Sequence, residues 1–202
     1  MDVCAGPLLS TYPWRELVNE ILFIQGAGAG VHADWDIHLV ESLRRELGPP
    51  YTVRYPRMPN EADPTLAAWR PVLERELSAL PPGAILVGHS VGGTIAVHVL
   101  ADAAPATALG AVVLIAAPFI GEGGWTSDEI TPRGDLAERL PATVPVFLYH
   151  GEDDAVVPVA HVERYAAAIP RARVRRLAGR DHQLNNDLSE VARDLRELAS
   201  PA

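Results

Sequence analysis

The chain has 202 residues, 48% of them hydrophobic and 21% charged, with a mean hydropathy of +0.07, the composition of a folded domain with a sizeable core. All 17 basic residues are arginine, so Schiff-base, PLP and P-loop chemistries that need a lysine amine are excluded. Against 26 acidic residues they leave a net charge of -9, which repels a phosphate backbone and sets aside nucleic acid as a partner.

The chain opens Met1-Asp2-Val3-Cys4, without the basic stretch and apolar run of a secretory signal, so a cytoplasmic protein is expected. Cys4 is the single cysteine; it closes no internal disulfide and belongs to no metal-binding pattern. Ile21 to Ile24 reads as a first strand, followed by a helix from Asp34 to Leu47 whose Trp35, Leu39, Leu43 and Leu47 fall four apart. That spacing makes Trp35 a core anchor. Tyr51 to Tyr55 is a second strand. Asp63 then caps a helix with Pro64 at its first position, Leu66, Leu73, Leu77 and Leu80 along one face and a kink at Pro71.

Ala84 to His89 is a third strand feeding a helix from Val91 to about Ala103, and Ala111 to Ala117 is a fourth. The apolar run containing it, Ala111 to Ile120, is too short to span a bilayer, so no membrane partner is expected. The stretch 118–143 has no apolar helical period and holds Gly121, Gly123, Gly124 and Trp125, the signature of a functional flap or lid loop. Val144 to His150 is a fifth strand, Pro158 to Ala168 a helix, Arg173 to Leu177 a sixth strand and Asp187 to Leu198 a closing helix. The cluster Arg171, Arg173, Arg175, Arg176 and Arg180 reads as a solvated strand edge and loop. This βαβ alternation predicts one domain over 1–202, a three-layer, doubly wound, mainly parallel sheet with ligands gathering beyond the carboxyl ends of its strands.

At the end of the third strand stands Gly88-His89-Ser90-Val91-Gly92, a G-x-S-x-G pentapeptide between a strand and a helix. A sharp turn there exposes the serine hydroxyl, the helix N-terminus favours developing negative charge, and side chains at Gly88 or Gly92 would collide with backbone. The glycine run Gln25-Gly26-Ala27-Gly28-Ala29-Gly30 follows the first strand. It lacks the third in-register glycine of a dinucleotide fingerprint, so no nucleotide cofactor is expected, and no metal.

With these residues the chain resembles the α/β-hydrolase superfamily, in which serine, acid and histidine follow in that order. It is similar to the compact single-domain serine hydrolases of the retinoblastoma-binding protein 9 and YdeN-like group, and Tyr55 to Asn60 with Trp69 suits that group. The resemblance implies strand order 2-1-3-4-5-6 and no large cap domain, with the first one or two strands of larger members missing. It makes Ser90 the nucleophile. Gly151-Glu152-Asp153-Asp154 through Pro158 resembles the family's acid loop and selects Asp154, with Asp153 the substitute if the loop is shifted by one residue. Gly179-Arg180-Asp181-His182 resembles the final loop and makes His182 the base, a role suited to an imidazole of ordinary pKa near 6.5. The backbone N–H groups of Val91 and Ala27 become the oxyanion donors, although Gln25 stands where many relatives carry histidine.

His89, His98, His150 and His161 read as structural or solvated. His32, Met58, Phe119 and Trp125 follow strand ends and are the candidates to contact substrate. The implied activity is cofactor-free hydrolysis of small carboxylic esters through an acyl-serine. A thioesterase or amidase would use the same residues, and a non-catalytic binding protein on the same fold is the alternative from another class.

Overall fold

The computed structural model describes residues 20–103, 105 and 107–199. Met1 to Cys4, on which the readings of the signal sequence and the lone cysteine rest, lie outside them. Six strands form one sheet: β1 (Glu20–Ile24), β2 (Thr52–Arg54), β3 (Ile85–His89), β4 (Ala111–Ile115), β5 (Val146–Gly151) and β6 (Arg173–Leu177). Their order is β2-β1-β3-β4-β5-β6 and every neighbouring pair is parallel, as the resemblance implied. The helices are α1 (Asp36–Leu47), α2 (Leu66–Ser78), α3 (Ser90–Asp102), α4 (Leu136–Arg139), α5 (Ala160–Ala168) and α6 (Ser189–Ala199).

Side chains alternate along a strand, and in a parallel sheet both faces are covered, so nearly every position of the central strands β1, β3, β4 and β5 is buried. Ile21, Phe23, Ile85, Val87, Val113 and Phe147 pack under α1 and α6, against Leu39, Leu43, Val191 and Leu195. Leu22, Ile24, Leu86, Val112, Leu114 and Leu148 face the other way and meet Trp69, Leu73, Ile95, Val99, Val162 and Tyr165 of α2, α3 and α5. The two cores meet only through the sheet, which gives three layers. Among the described residues no helix is long and apolar enough to cross a membrane.

Three local expectations change. A π-helical turn over Val31–Trp35 precedes α1, and its extra residue per turn breaks the four-residue stripe. Val31 is buried, while Trp35 is turned out to 59% exposure and Asp36 turned in, so Trp35 is no core anchor. α2 is capped not by Asp63 but by Thr65, whose Oγ1 accepts from Ala68 N–H at 3.1 Å, and the helix runs on through Pro71. The arginines around β6 are engaged rather than merely solvated. Arg175 holds Asp194 at 2.9 and 3.1 Å, Arg176 pairs with Glu163, and Arg173 lies 5.3 Å over the Phe147 ring. Arg171 donates to the carbonyls of Ala137, Leu140 and Pro141 at the end of α4.

Trp69 fastens α2 to the chain after β2, because its indole N–H donates to the Pro59 carbonyl at 2.7 Å while its ring is wholly buried. Trp69→Ala loses that volume and that bond. Urea unfolding should show a loss of about 3–5 kcal/mol, at the upper end for large-to-small core changes.

Candidate active site

β3 passes into α3 without a loop, and Ser90 at the junction has φ +50°, a left-handed conformation that an L-residue holds only when its surroundings impose it. Two glycines make the junction possible. A Cβ on Gly88 would lie 2.5 Å from the Gly93 Cα, and one on Gly92 would drive into the Gln25 carbonyl. The amino end of α3 therefore touches the backbone after β1, which brings Gly26 against Ser90.

The loops after β5 and β6 complete the arrangement. Ser90 Oγ lies 3.0 Å from His182 Nε2, and His182 Nδ1 lies 2.7 Å from Asp154 Oδ2. Asp154 is buried whereas Asp153 is exposed, so only the former faces the histidine. Its other oxygen accepts the Val156 and Val157 N–H groups, each at 2.8 Å. His150 lies beneath it, with Nε2 2.8 Å from the Val157 carbonyl and 3.2 Å from Asp154 Oδ2. Burial by itself would raise the Asp154 pKa, but the ring donors of His150 and His182 and the Val157 amide outweigh it and hold the carboxyl well below the usual range. His182 is followed by three left-handed residues, Leu184, Asn185 and Asn186, with φ of 49°, 55° and 56°. Asp181 Oδ1 takes the Gln183 and Asn185 N–H groups and Asn185 Nδ2 donates to the Gly179 carbonyl, so the turn is closed on itself.

In the glycine loop, Gly26 N–H donates to Asp36 Oδ2 at 2.7 Å and Gly28 N–H to the Glu61 carbonyl at 2.6 Å. Ala27 N–H, between them, has no protein acceptor among the described residues. Val91 N–H lies in the first turn of α3, where helical amides lack an intrahelical partner. Gln25, standing in the place of a histidine, is a buried cross-link: its Oε1 accepts Met58 N–H at 3.1 Å and its Nε2 donates to Glu61 at 3.0 Å.

A cavity of about 340 Å³ opens beside Val91, walled by Leu66, Ile95, Ile120 and Ile130, with Trp125 and Glu129 also lining it. Of the four expected contact residues, Trp125 alone lines this cavity, its ring edge-on to His161 at 5.5 Å. Phe119 instead packs edge-on against Tyr165 at 5.1 Å and borders a neighbouring hollow with Arg133 and Arg164. Met58 is 1% exposed within the core, so its expected place on a pocket wall is corrected: the chain after β2 turns it inward. His32 stacks on Tyr55 at 4.2 Å and lines none of the cavities described here. A separate apolar cavity of about 320 Å³ lies at the opposite, amino ends of β3 to β5, near Gly83, Gly110 and Val146. Among the described residues no group of three or more His, Cys, Asp or Glu side chains forms a metal ligand set. Asp36 and His150 are the site neighbours that sequence reasoning missed.

An all-parallel sheet of this order, with a strained serine leaving its third strand, is the architecture of the α/β-hydrolase fold. The chain belongs to the serine hydrolase family, whose model matches residues 22–187, and it is an enzyme of the hydrolase class. Among solved structures it is similar to the ydeN gene product of B. subtilis, at TM-score 0.73 and 20% identity over 91% of this chain and 100% of that one. It is similar also to a serine hydrolase involved in carbazole degradation, the CarC enzyme, at TM-score 0.67 and 16% identity over 89% of this chain and 90% of that one. The esterase RhEst1 from Rhodococcus sp. ECU1013 superposes at TM-score 0.65 and 17% identity, covering 90% of each chain. No curated protein sequence matches the chain significantly.

Glu61 gives the loop beside Ser90 a dependence on acid. Arg57 at 2.8 Å, opposed by burial but joined by Gln25 and the His32 amide, lowers its pKa from 4.5 to about 2. A depressed carboxylate contributes stability above its unfolded pKa and loses it as pH falls through the folded value. Urea midpoints should therefore show Glu61→Gln less stable than wild type above pH 4.5, with the gap closing as the pH approaches about 2.

Proposed function

We propose that the protein hydrolyses small carboxylic esters through an acyl-enzyme on Ser90, with His182 as base and Asp154 as its orienting acid. The observation that carries this reading is the unbroken line from Asp154 through His182 to the strained serine, with contacts of 2.7 and 3.0 Å. As Ser90 Oγ attacks the ester carbonyl carbon, His182 Nε2 takes its proton and Asp154 stabilises the imidazolium. The oxyanion is received by the Ala27 N–H, which has no other acceptor among the described residues, and by the Val91 N–H of the first turn of α3, set on adjacent strand ends. Collapse breaks the ester C–O bond and His182 returns the proton to the leaving alcohol. Water, deprotonated by the same ring, then attacks the acyl carbon and releases the acid and Ser90.

The cavity beside Val91 is the proposed acyl site, and its apolar walls and modest volume favour short acyl chains. The stretch 118–143 acts in this reading as a fixed wall rather than a moving lid. Glu129 accepts the Leu66 N–H at 2.6 Å at the start of α2, Arg133 pairs with Asp102, and Arg171 grips the end of α4. The whole of 1–202 then works as one domain, with a molecule of small ester as its partner and no cofactor.

Fluorophosphonate labelling read by intact mass and peptide mapping should give one adduct on Ser90 in wild type and none in Ser90→Ala. A panel of p-nitrophenyl esters should show kcat/KM highest for short acyl groups, and turnover lower by about a thousandfold or more in Ser90→Ala. An unlabelled but folded wild type would move the reading to a binding protein. Asp154→Asn should cost at least about a thousandfold in kcat, whereas Asp153→Asn, at an exposed position, should stay within about threefold of wild type.

A further inference from the structure

Asp36 and His89 take no part in the proton transfers above, yet they lie directly behind Ser90 and are closed to solvent, at 0% and 1% exposure. His89 points away from the nucleophile. Its Nδ1 lies 2.9 Å from Asp36 Oδ2, and its Nε2 lies 3.1 Å from the main-chain carbonyl oxygen of His182. A carbonyl oxygen accepts and never donates, and an ionised carboxylate does the same. Both ring nitrogens must then donate, and an imidazole that donates from both is the imidazolium cation. The carboxylate is equally occupied: Oδ2 also takes the Gly26 N–H at 2.7 Å, and Oδ1 takes the Gln183 side-chain amide at 3.1 Å.

One buried ion pair thus joins three segments that come from different strands. These are the glycine loop after β1, the turn between β3 and α3, and the His182 loop after β6. The other ionisable groups facing the pair are the His182 ring, 4.9 Å from the His89 ring, Asp154 across the site and Tyr55 from the chain after β2. Burial opposes the charge on His89, and the Asp36 carboxylate with the His182 carbonyl overcomes it, so its pKa is raised above the ordinary value.

We propose that the Asp36–His89 ion pair is a positioning element of the hydrolytic site. By holding Gly26 N–H it fixes the peptide that leads to the Ala27 donor, and by holding the His182 carbonyl and Gln183 it fixes the backbone from which the base reaches Ser90. Neither residue touches substrate. The inference rests on the roles given to Ser90, His182 and Ala27 above. Charge-assisted bonds suit the task because they are shorter and stiffer than neutral ones, and a displacement of about 1 Å at a reacting group costs on the order of a hundredfold in rate.

The test compares wild type with Asp36→Asn, which keeps the shape and the acceptor for Gly26 but removes the charge. With the best ester of the panel, kcat should fall about 10- to 100-fold while KM stays within about twofold, and fluorophosphonate capture of Ser90 should slow by a similar factor. A merely structural pair would lower the urea midpoint and leave kcat of the folded enzyme unchanged, which overturns the proposal. Should Asp36→Asn fail to fold, His89→Gln, which keeps one donor, is read in the same way. In parallel, ring 15N spectra of selectively labelled wild type should show both His89 nitrogens protonated near neutral pH, as its two acceptors require. A bare His89 nitrogen near neutral pH would overturn the ion pair whatever the kinetics show. Wild type that neither labels at Ser90 nor turns over any ester would fail the parent reading instead, and the spectra would still decide the protonation of His89.

Discussion

A serine held in left-handed backbone is the constraint on which the carboxyl edge of the sheet depends. Ser90 sits where a strand must become a helix within one residue, and the chain has no slack there to relax. The strain is tolerated because α3 is buried on nearly every side, with Ile95, Val97 and Val99 anchoring it in the core. It is also tolerated because Gly88 and Gly92 let three stretches of backbone come closer than side chains would allow. The close approach of Gly92 to Gln25 carries a second effect: it sets the spacing between α3 and the loop after β1, and so the spacing of the Val91 and Ala27 amides.

Around that point the charges are arranged in pairs rather than singly. Asp154 has His182 on one side and His150 on the other, and Asp36 has His89. Each buried carboxylate also takes backbone or side-chain amide donors, so none is left as an uncompensated charge in the interior. The four loops at this edge are consequently tied to one another, and Gln25 with Glu61 extends the same cross-linking to the chain after β2. Few of these ties involve the sheet itself, whose part is to set the strand ends at fixed spacing.

The strands and the strand-to-helix serine were legible because they depend on local signals, apolar runs bounded by turns and glycines at fixed offsets, whereas the strand order came only from the family resemblance. Some strand ends were read one or two residues long, as at Ala111–Ile115, where the run continues as Ala116-Ala117 after pairing stops. The part that was not legible depends on register or on distant contacts. A π-helical turn reversed the facing of Trp35 and Asp36, and no period of 3.6 anticipates it. Met58 went inward because the Gln25 side chain, 33 residues away, holds its amide. His150 read as the end of a strand because its partner carboxylate reaches it only when the loop after β5 turns back.

Among the described residues the two borders of the sheet end in different ways. β2 is only three residues long, and β6 carries exposed Arg173, Arg175 and Arg176 over its two faces, two of them locked to carboxylates of α5 and α6. An open parallel sheet presents unpaired main-chain groups at both margins, a template on which a strand of another molecule can add. Here one margin is too brief to template anything, and the other would force a newcomer to desolvate a row of guanidinium groups. A chain with so apolar a centre is thereby guarded against growing, sheet upon sheet, into an aggregate.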